Sequence, residues 1–122
     1  MAKKQEDLDD GVARMMALQG EIDGVAFEVK RGVTRLVWEP NQPGTMEIFN
    51  FAKDIAQELG LELKGRSQSG GSDANFTGAM GIASLDSLGV LGAGLHTLNE
   101  HIFVDSLVQR AKLMAGLLMR LS

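Results

Sequence analysis

Three short stretches of the sequence carry residue types that could bind an anion or a metal ion. The first is Gly65–Ser72, a glycine- and serine-rich segment between a predicted strand and a predicted helix. Its spacing approaches that of a nucleotide-binding P-loop, but Gly71 stands where the loop needs a lysine for the phosphates. Nucleotide binding is therefore not expected. Consecutive glycines before a helix could still expose backbone N–H groups to an anion such as a carboxylate. A plain strand-to-helix turn explains the same pattern equally well.

The second stretch holds the two histidines of the chain, His96 and His101, with Glu100 between them. A helical zinc motif needs histidines at i and i+4, and the inverted motif His-x-x-Glu-His is one residue shorter than the spacing found here. A self-contained zinc site is therefore not expected. His96 follows a glycine-rich loop and could be one ligand of a site completed elsewhere, although the residues alone favour this role no more than a structural one. His101 is better interpreted as a solvated or capping residue.

The third group consists of carboxylates near glycine-rich turns, namely Asp73, Asp86 and Glu100. Paired carboxylates can act as general acid and base, but nothing in this spacing shows that they converge. Helix capping is the simplest role for Asp73, because its side-chain oxygen could accept a free N–H of the first helical turn. Ser72 could cap the same helix.

The elements that must position these residues alternate along the chain. Apolar periodicity of 3.6 residues predicts helices, apolar–polar alternation predicts strands, and both prolines mark a break at residues 39–44. The predicted order is a helix over 4–20, a strand over 25–31 that could continue through 36–38, a helix over 45–59, a strand over 61–64, a short helix from 72 or 73 to 80, a strand over 82–88 and a helix over 102–121. From residue 45 onward this alternation is typical of an α/β fold with a largely parallel sheet.

Composition narrows the class of protein. The 122 residues include 12 Lys and Arg against 16 Asp and Glu, a net charge of −4, which gives no reason to expect nucleic acid or an anionic membrane as partner. No cysteine is present, so disulfides and thiolate metal sites are excluded. The charged first ten residues do not form a secretory signal, and no apolar run approaches the ~20 residues of a membrane span. A cytoplasmic location is expected. Glycine, at 15 residues, is in excess, and nine of these lie between Gly60 and Gly94.

Two sequence blocks carry a resemblance to a known family. Ser69–Gly89, which begins Ser-Gly-Gly-Ser-Asp-Ala-Asn-Phe-Thr-Gly, and Gly92–Leu107, which begins Gly-Ala-Gly-Leu-His-Thr-Leu-Asn-Glu-His, resemble the C-terminal part of the two-zinc metallopeptidase and deacylase family. That family includes glutamate carboxypeptidase, acetylornithine deacetylase, succinyl-diaminopimelate desuccinylase and aminoacylase. The sequence looks most similar to the glutamate carboxypeptidase branch, from about Gly24 to the C-terminus.

The resemblance implies an organisation and a set of site residues. Residues 1–39 look like a remnant of an α+β lid and dimerisation domain, and residues 40–122 like the C-terminal portion of the α/β catalytic domain. His96 looks like a ligand to one of two zinc ions. Gly71 and Ser72 look like the loop that approaches the substrate carboxylate. Arg35 matches a junction arginine that holds this carboxylate, with Leu36 where the family usually has proline.

The departures from the family concern catalysis. The family's His-x-Asp block, its Glu-Glu pair with the general base and a further acidic ligand are absent from this sequence. The resemblance therefore implies a fragment of a zinc-dependent hydrolase that releases an amino acid from a small substrate with a free carboxylate. The chain alone is expected to be inactive, to bind no zinc by itself and to form a homo-oligomer. The alternative is a non-enzymatic oligomerisation or binding module derived from the family.

Overall fold

Four helices and two short hairpins make up the fold in a computed structural model that describes residues 2–68 and 70–122. The elements are α1 (Gln5–Met16), β1 (Gly20–Ile22), β2 (Val25–Phe27), α2 (Pro43–Glu58), α3 (Ala74–Ala79), β3 (Gly92–Ala93), β4 (His101–Ile102) and α4 (Asp105–Leu121). Helices and strands thus occur in one chain, as an α/β class requires. Ser69, which belongs to the predicted loop over 65–71, lies outside the described residues.

The first hairpin follows α1 and turns at Asp23 and Gly24. Both residues have positive φ, 52° and 78°, which is the geometry of a two-residue turn that Asp-Gly favours. Strands β1 and β2 pair antiparallel, with Ile22 opposite Val25. The predicted strand over 25–31 is therefore correct in its first three residues only. The helix predicted over 4–20 ends at Met16 in the structure, four residues earlier, because residues 20–22 form a strand that pairs with β2.

The core lies between α2 and α4. Helix α2 begins at Pro43, where a missing N–H costs nothing because the first turn has no intrahelical acceptor for it. Ala52, Ile55 and Ala56 of α2 are buried together with Leu113 and Leu117 of α4. A Cβ on Gly116 would lie 2.9 Å from Cγ2 of Ile55, so glycine lets the two helices approach closely.

The two strands predicted over 61–64 and 82–88 are wrong as strands. These segments belong to no sheet of the described chain, in which both sheets are two-stranded and antiparallel rather than parallel. Their leucines instead pack against the α2–α4 core: Leu61, Leu63, Leu85 and Leu88. Alternation can place leucines on one side of an extended segment, but a strand also needs a neighbouring strand for its backbone hydrogen bonds.

The second hairpin pairs β3 with β4 and leads into α4. Ala93 lies opposite His101, so residues 101–102 are strand and the last helix begins at Asp105 instead of residue 102. A Cβ on Gly92 would overlap the carbonyl oxygen of His101. Part of the glycine excess is therefore explained by the close approach of two backbones in this hairpin.

Much apolar surface remains open to solvent. The chain exposes 9371 Å², whereas a compact monomer of 13.1 kDa exposes about 6,400 Å². Only five apolar residues of the described chain are buried, while Leu98, Val104, Leu118 and Met119 are more than 60% exposed. In the described ranges, no helix combines the length and apolar character needed to cross a bilayer.

Candidate carboxylate-binding site

Arg35 lies against the loop that precedes α3. Its Nη2 atom forms an ion pair with Oδ1 of Asp73 at 2.9 Å. A Cβ on Gly71 would stand 3.1 Å from Cδ of Arg35, so the stem of the arginine rests on the bare backbone of this glycine. The structure thus brings Arg35 together with Gly71 and its neighbours, although many residues separate them in the chain.

Ser72 and Asn75 shape this loop through hydrogen bonds. The Ser72 N–H donates to Oδ1 of Asn75 at 2.9 Å, and the Ser72 hydroxyl oxygen accepts the N–H of Ala74 at 3.1 Å. The amide nitrogen of Asn75 also donates to the carbonyl oxygen of Leu36 at 2.9 Å. Asn75 therefore ties the loop to the chain segment that carries Arg35.

A second contact holds the same segment against α3. A Cβ on Gly78 would overlap the indole ring of Trp38, so the ring lies directly on the helix backbone. The Thr77 and Ser84 hydroxyls are 2.7 Å apart and link α3 to the following segment. Arg35 is consequently presented from a stretch of chain that α3 fixes at Leu36 and at Trp38.

The capping role expected of Asp73 is wrong. Asp73 precedes α3, but its carboxylate makes no cap hydrogen bond and instead pairs with Arg35. Ser72, the other candidate, supplies the oxygen for the Ala74 N–H. A long-range arginine competes for the Asp73 carboxylate, and sequence spacing cannot reveal such a partner.

The sequence reasoning missed Asn75 as a site residue. In the sequence it stands within the block that begins at Ser69, with no role assigned to it, whereas in the structure its amide joins Ser72 to Leu36 across the site. The available signal was an Asn three residues after a serine at a helix start, a pattern typical of side-chain bonds to the local backbone.

An anion at this loop would meet the positive charge of Arg35, while three of the backbone donors of the loop are already engaged. The N–H groups of Ser72, Ala74 and Asn75 are already bonded within the loop. The guanidinium of Arg35, whose side chain is 44% exposed, is the group with the charge and the fork geometry to bind a carboxylate.

His96 lies in the turn between β3 and β4, away from the hydrogen bonds described above. Its φ is 63°, a left-handed conformation that is uncommon for a residue with a side chain. The His96 N–H donates to Oε2 of Glu100 at 3.0 Å, which stabilises this turn. In the described chain no hydrogen bond joins His96 to Arg35, Gly71 or Ser72, and its role as a metal ligand remains a prediction.

His101 is exposed, as a solvated residue would be, and it has a defined orientation. Its Nδ1 lies 2.7 Å from the carbonyl oxygen of Asn99, and its ring meets Phe103 edge-on at 5.5 Å. Because a carbonyl oxygen only accepts, Nδ1 is the donor in this contact. The contact with Phe103 further restricts the ring.

A zinc centre does not fit the residues present. Structural zinc sites use four protein ligands and catalytic sites usually three. Within residues 2–68 and 70–122, no three side chains from His, Cys, Asp or Glu are grouped so that they could hold a metal. His96 alone therefore supplies at most one ligand, and no catalytic step through a metal follows from this geometry.

Comparison with known proteins agrees with the resemblance at the level of the family. Residues 7–120 match the family described as peptidase family M20/M25/M40. A succinyl-diaminopimelate desuccinylase of Thioalkalivibrio sulfidiphilus (strain HL-EbGR7) is 26% identical over 117 residues, which is 95% of this chain and 30% of that protein. The chain thus spans about a third of the length of this relative. No solved structure matches the chain significantly. The family match covers nearly the whole sequence, and the chain therefore belongs to peptidase family M20/M25/M40.

Proposed function

We propose that this chain supplies the carboxylate-binding part of a metal-dependent hydrolase that releases an amino acid from a small amide substrate. The observation that carries the proposal is the position of the Arg35 guanidinium beside Gly71. An arginine fork and a carboxylate match in shape and charge, and such pairs can be bidentate. Ser72 and Asn75 set the loop, and Arg35 provides the charge.

The substrate class that suits this site has one free carboxylate beside an amide. A C-terminal residue of a peptide and an N-acylated amino acid both meet this description. The desuccinylase relative, whose name refers to removal of a succinyl group, favours the deacylase form. The resemblance of the sequence favours the glutamate carboxypeptidase form, and the present site accepts either.

The chain by itself is proposed to be inactive. We assign His96 as one ligand of a zinc site, and the remaining ligands and the general base would have to come from residues outside this sequence. With zinc added, hydrolysis of N-acetyl-L-alanine by the chain is expected to stay at the background rate. Turnover above background that disappears in His96→Ala would overturn this proposal.

The carboxylate site is testable without activity. N-acetyl-L-alanine carries one carboxylate and no amine, and its titration should move the backbone NMR signals of Gly71 and Ser72 in a saturable way. Arg35→Met should abolish the saturable shift because it removes the guanidinium while keeping much of the apolar stem. Arg31→Met removes the same charge from a nearby position of the same chain and should leave binding intact. Equal binding in both variants would refute the site.

The second candidate is a non-enzymatic module that associates with a copy of itself. Helix α4 favours it, because apolar residues on the side opposite the core remain exposed: Val108, Ala111, Ala115 and Leu118. A helix that is apolar on both sides is normally covered on both. The excess of exposed surface over a compact monomer, about 3,000 Å², exceeds the roughly 800 Å² that each partner buries in a typical complex. We propose a homo-oligomer on this basis, and a stable monomer in sedimentation velocity would contradict it.

A further inference from the structure

The ion pair between Arg35 and Asp73 differs from the other ion pairs of the described chain. Those pairs join residues two or four positions apart: Lys4–Glu6, Arg14–Asp10, Lys30–Glu28 and Lys64–Glu62. Arg35 and Asp73 instead come from segments separated by all of α2, and they meet at 2.9 Å. The pair therefore depends on the tertiary fold. It engages the Arg35 guanidinium, which is the group that binds the ligand carboxylate in the proposed function.

The carboxylate of Asp73 takes no part in the hydrogen bonds of helix α3. Its carboxylate makes no cap hydrogen bond, and the Ala74 N–H is bonded to the Ser72 hydroxyl instead. Removing the charge of Asp73 therefore leaves the hydrogen bonds that hold the loop, namely those of Ser72 and Asn75. Among the described residues, the Asp73 carboxylate forms its hydrogen bond and ion pair with Arg35.

The pair is open to exchange with an outside carboxylate. The Asp73 side chain is 89% exposed and that of Arg35 is 44% exposed, so water and solutes reach both groups. Exposed ion pairs contribute little free energy, because solvent screens them and both side chains lose freedom. Asp73 contacts Arg35 through one oxygen, whereas a free carboxylate could approach the guanidinium with two.

We propose that Asp73 is an internal carboxylate that occupies Arg35 in the absence of ligand and competes with the ligand carboxylate for it. This inference rests on the proposed carboxylate site and assigns a new residue to it. Asp73 acts as a specificity-determining residue, because a ligand must offer Arg35 a better carboxylate than the one the protein already provides. Weakly basic or monodentate anions would then be excluded in favour of carboxylates that engage both guanidinium nitrogens.

The test compares Asp73→Asn with a matched variant by titration with N-acetyl-L-alanine, followed in the NMR signals of Gly71 and Ser72. Asp73→Asn keeps the size of the side chain and removes the competing charge, so the affinity should rise about two- to five-fold, as expected for loss of an exposed ion pair. Asp23→Asn removes the same charge at the β1–β2 turn, where Asn is equally suited to the left-handed backbone, and should change affinity much less. Asp73→Ser is a second variant with the same expected direction.

The outcomes separate this inference from the proposed function. Competition by Asp73 is supported if Asp73→Asn and Asp73→Ser bind N-acetyl-L-alanine more tightly than Asp23→Asn does. The same comparison applies if the wild type binds too weakly to saturate. Equal affinity in Asp73→Asn and Asp23→Asn overturns it but leaves the carboxylate site standing, provided that Arg35→Met abolishes binding. Weaker binding in Asp73→Asn also overturns it, since Asp73 would then help to position Arg35. Binding in none of the proteins would refute both proposals.

Discussion

Single residues decide how the Arg35 guanidinium is presented. The stem of Arg35 rests on Gly71, its Nη2 atom meets Asp73, and the next carbonyl along the chain is held by Asn75. The glycine at position 71 is therefore required by contact rather than by backbone conformation. The same is true of Gly78 under Trp38.

Gly71→Ala should weaken binding of N-acetyl-L-alanine about two- to five-fold while leaving stability nearly unchanged. The new Cβ would stand 3.1 Å from Cδ of Arg35, so the flexible stem must shift by a few tenths of an ångström and carry the guanidinium with it. Gly70→Ala is the control, because a Cβ there meets nothing within 4 Å. The same loss of affinity in both variants, measured by NMR titration, would contradict the contact.

Gly78→Ala should lower the free energy of unfolding by about 1–3 kcal/mol, the usual cost of overpacking. The new Cβ would overlap the indole of Trp38, which must leave the helix surface. Trp38 is the one tryptophan of the sequence, so its fluorescence should shift to longer wavelength as the ring becomes solvated. Gly89→Ala has open space around the new Cβ and should change neither the free energy of unfolding nor the Trp38 emission wavelength. An unshifted emission spectrum in Gly78→Ala would refute this packing.

At the scale of elements, the sequence predicted the long helices better than the strands. The hydrogen bonds of a helix are local, whereas those of a strand need a partner elsewhere in the chain. The strong apolar periodicity predicted helices over 45–59 and 102–121, and the structure has α2 and α4 within a few residues of these bounds. The hairpin at Asp23 and Gly24 was not predicted, although Asp-Gly between apolar runs favours such a turn. The strands over 61–64 and 82–88 failed because pairing depends on a neighbour that periodicity does not describe.

Leu113→Ala tests the α2–α4 contact. Leu113 is fully buried, and shortening it should cost about 2–5 kcal/mol through lost burial and a cavity. Urea unfolding followed by far-ultraviolet circular dichroism should show a lower midpoint or loss of helix without urea. Leu118→Ala, on the exposed side of the same helix at 63% exposure, should change stability by less than about 1 kcal/mol. Similar losses in the two variants would show that α4 does not pack through Leu113.

The whole molecule has too little core for its surface. Five buried apolar residues form the core of the part of the chain that the structure describes, and one side of α4 faces solvent. Apolar patches of this extent are typical of interaction surfaces, which supports the homo-oligomer proposed above. The chain spans about a third of the length of the matching relative.

Association of the chain should depend on the exposed side of α4. Sedimentation velocity should show oligomers of the wild type, and the double variant Leu118→Lys/Met119→Lys should shift the distribution toward monomer because charges on an apolar contact oppose burial. Lys53→Glu/Lys64→Glu changes two exposed charges elsewhere and should leave the distribution nearly unchanged. Oligomers that persist in the Leu118→Lys/Met119→Lys variant would place the contact on another surface.

The sequence by itself determined the features that depend on local chemistry. Periodicity located the two long helices to within a few residues, and the Gly-Gly-Ser-Asp and Gly-Leu-His-Thr blocks indicated the family that the comparison confirmed. Tertiary structure alone decided that Arg35 meets Gly71, that Asp73 pairs with Arg35 instead of capping α3, and that Asn75 joins the loop to Leu36. These contacts bring together groups more than thirty residues apart in the chain, and their geometry depends on how α2 and α3 fold the intervening chain rather than on any spacing in the sequence.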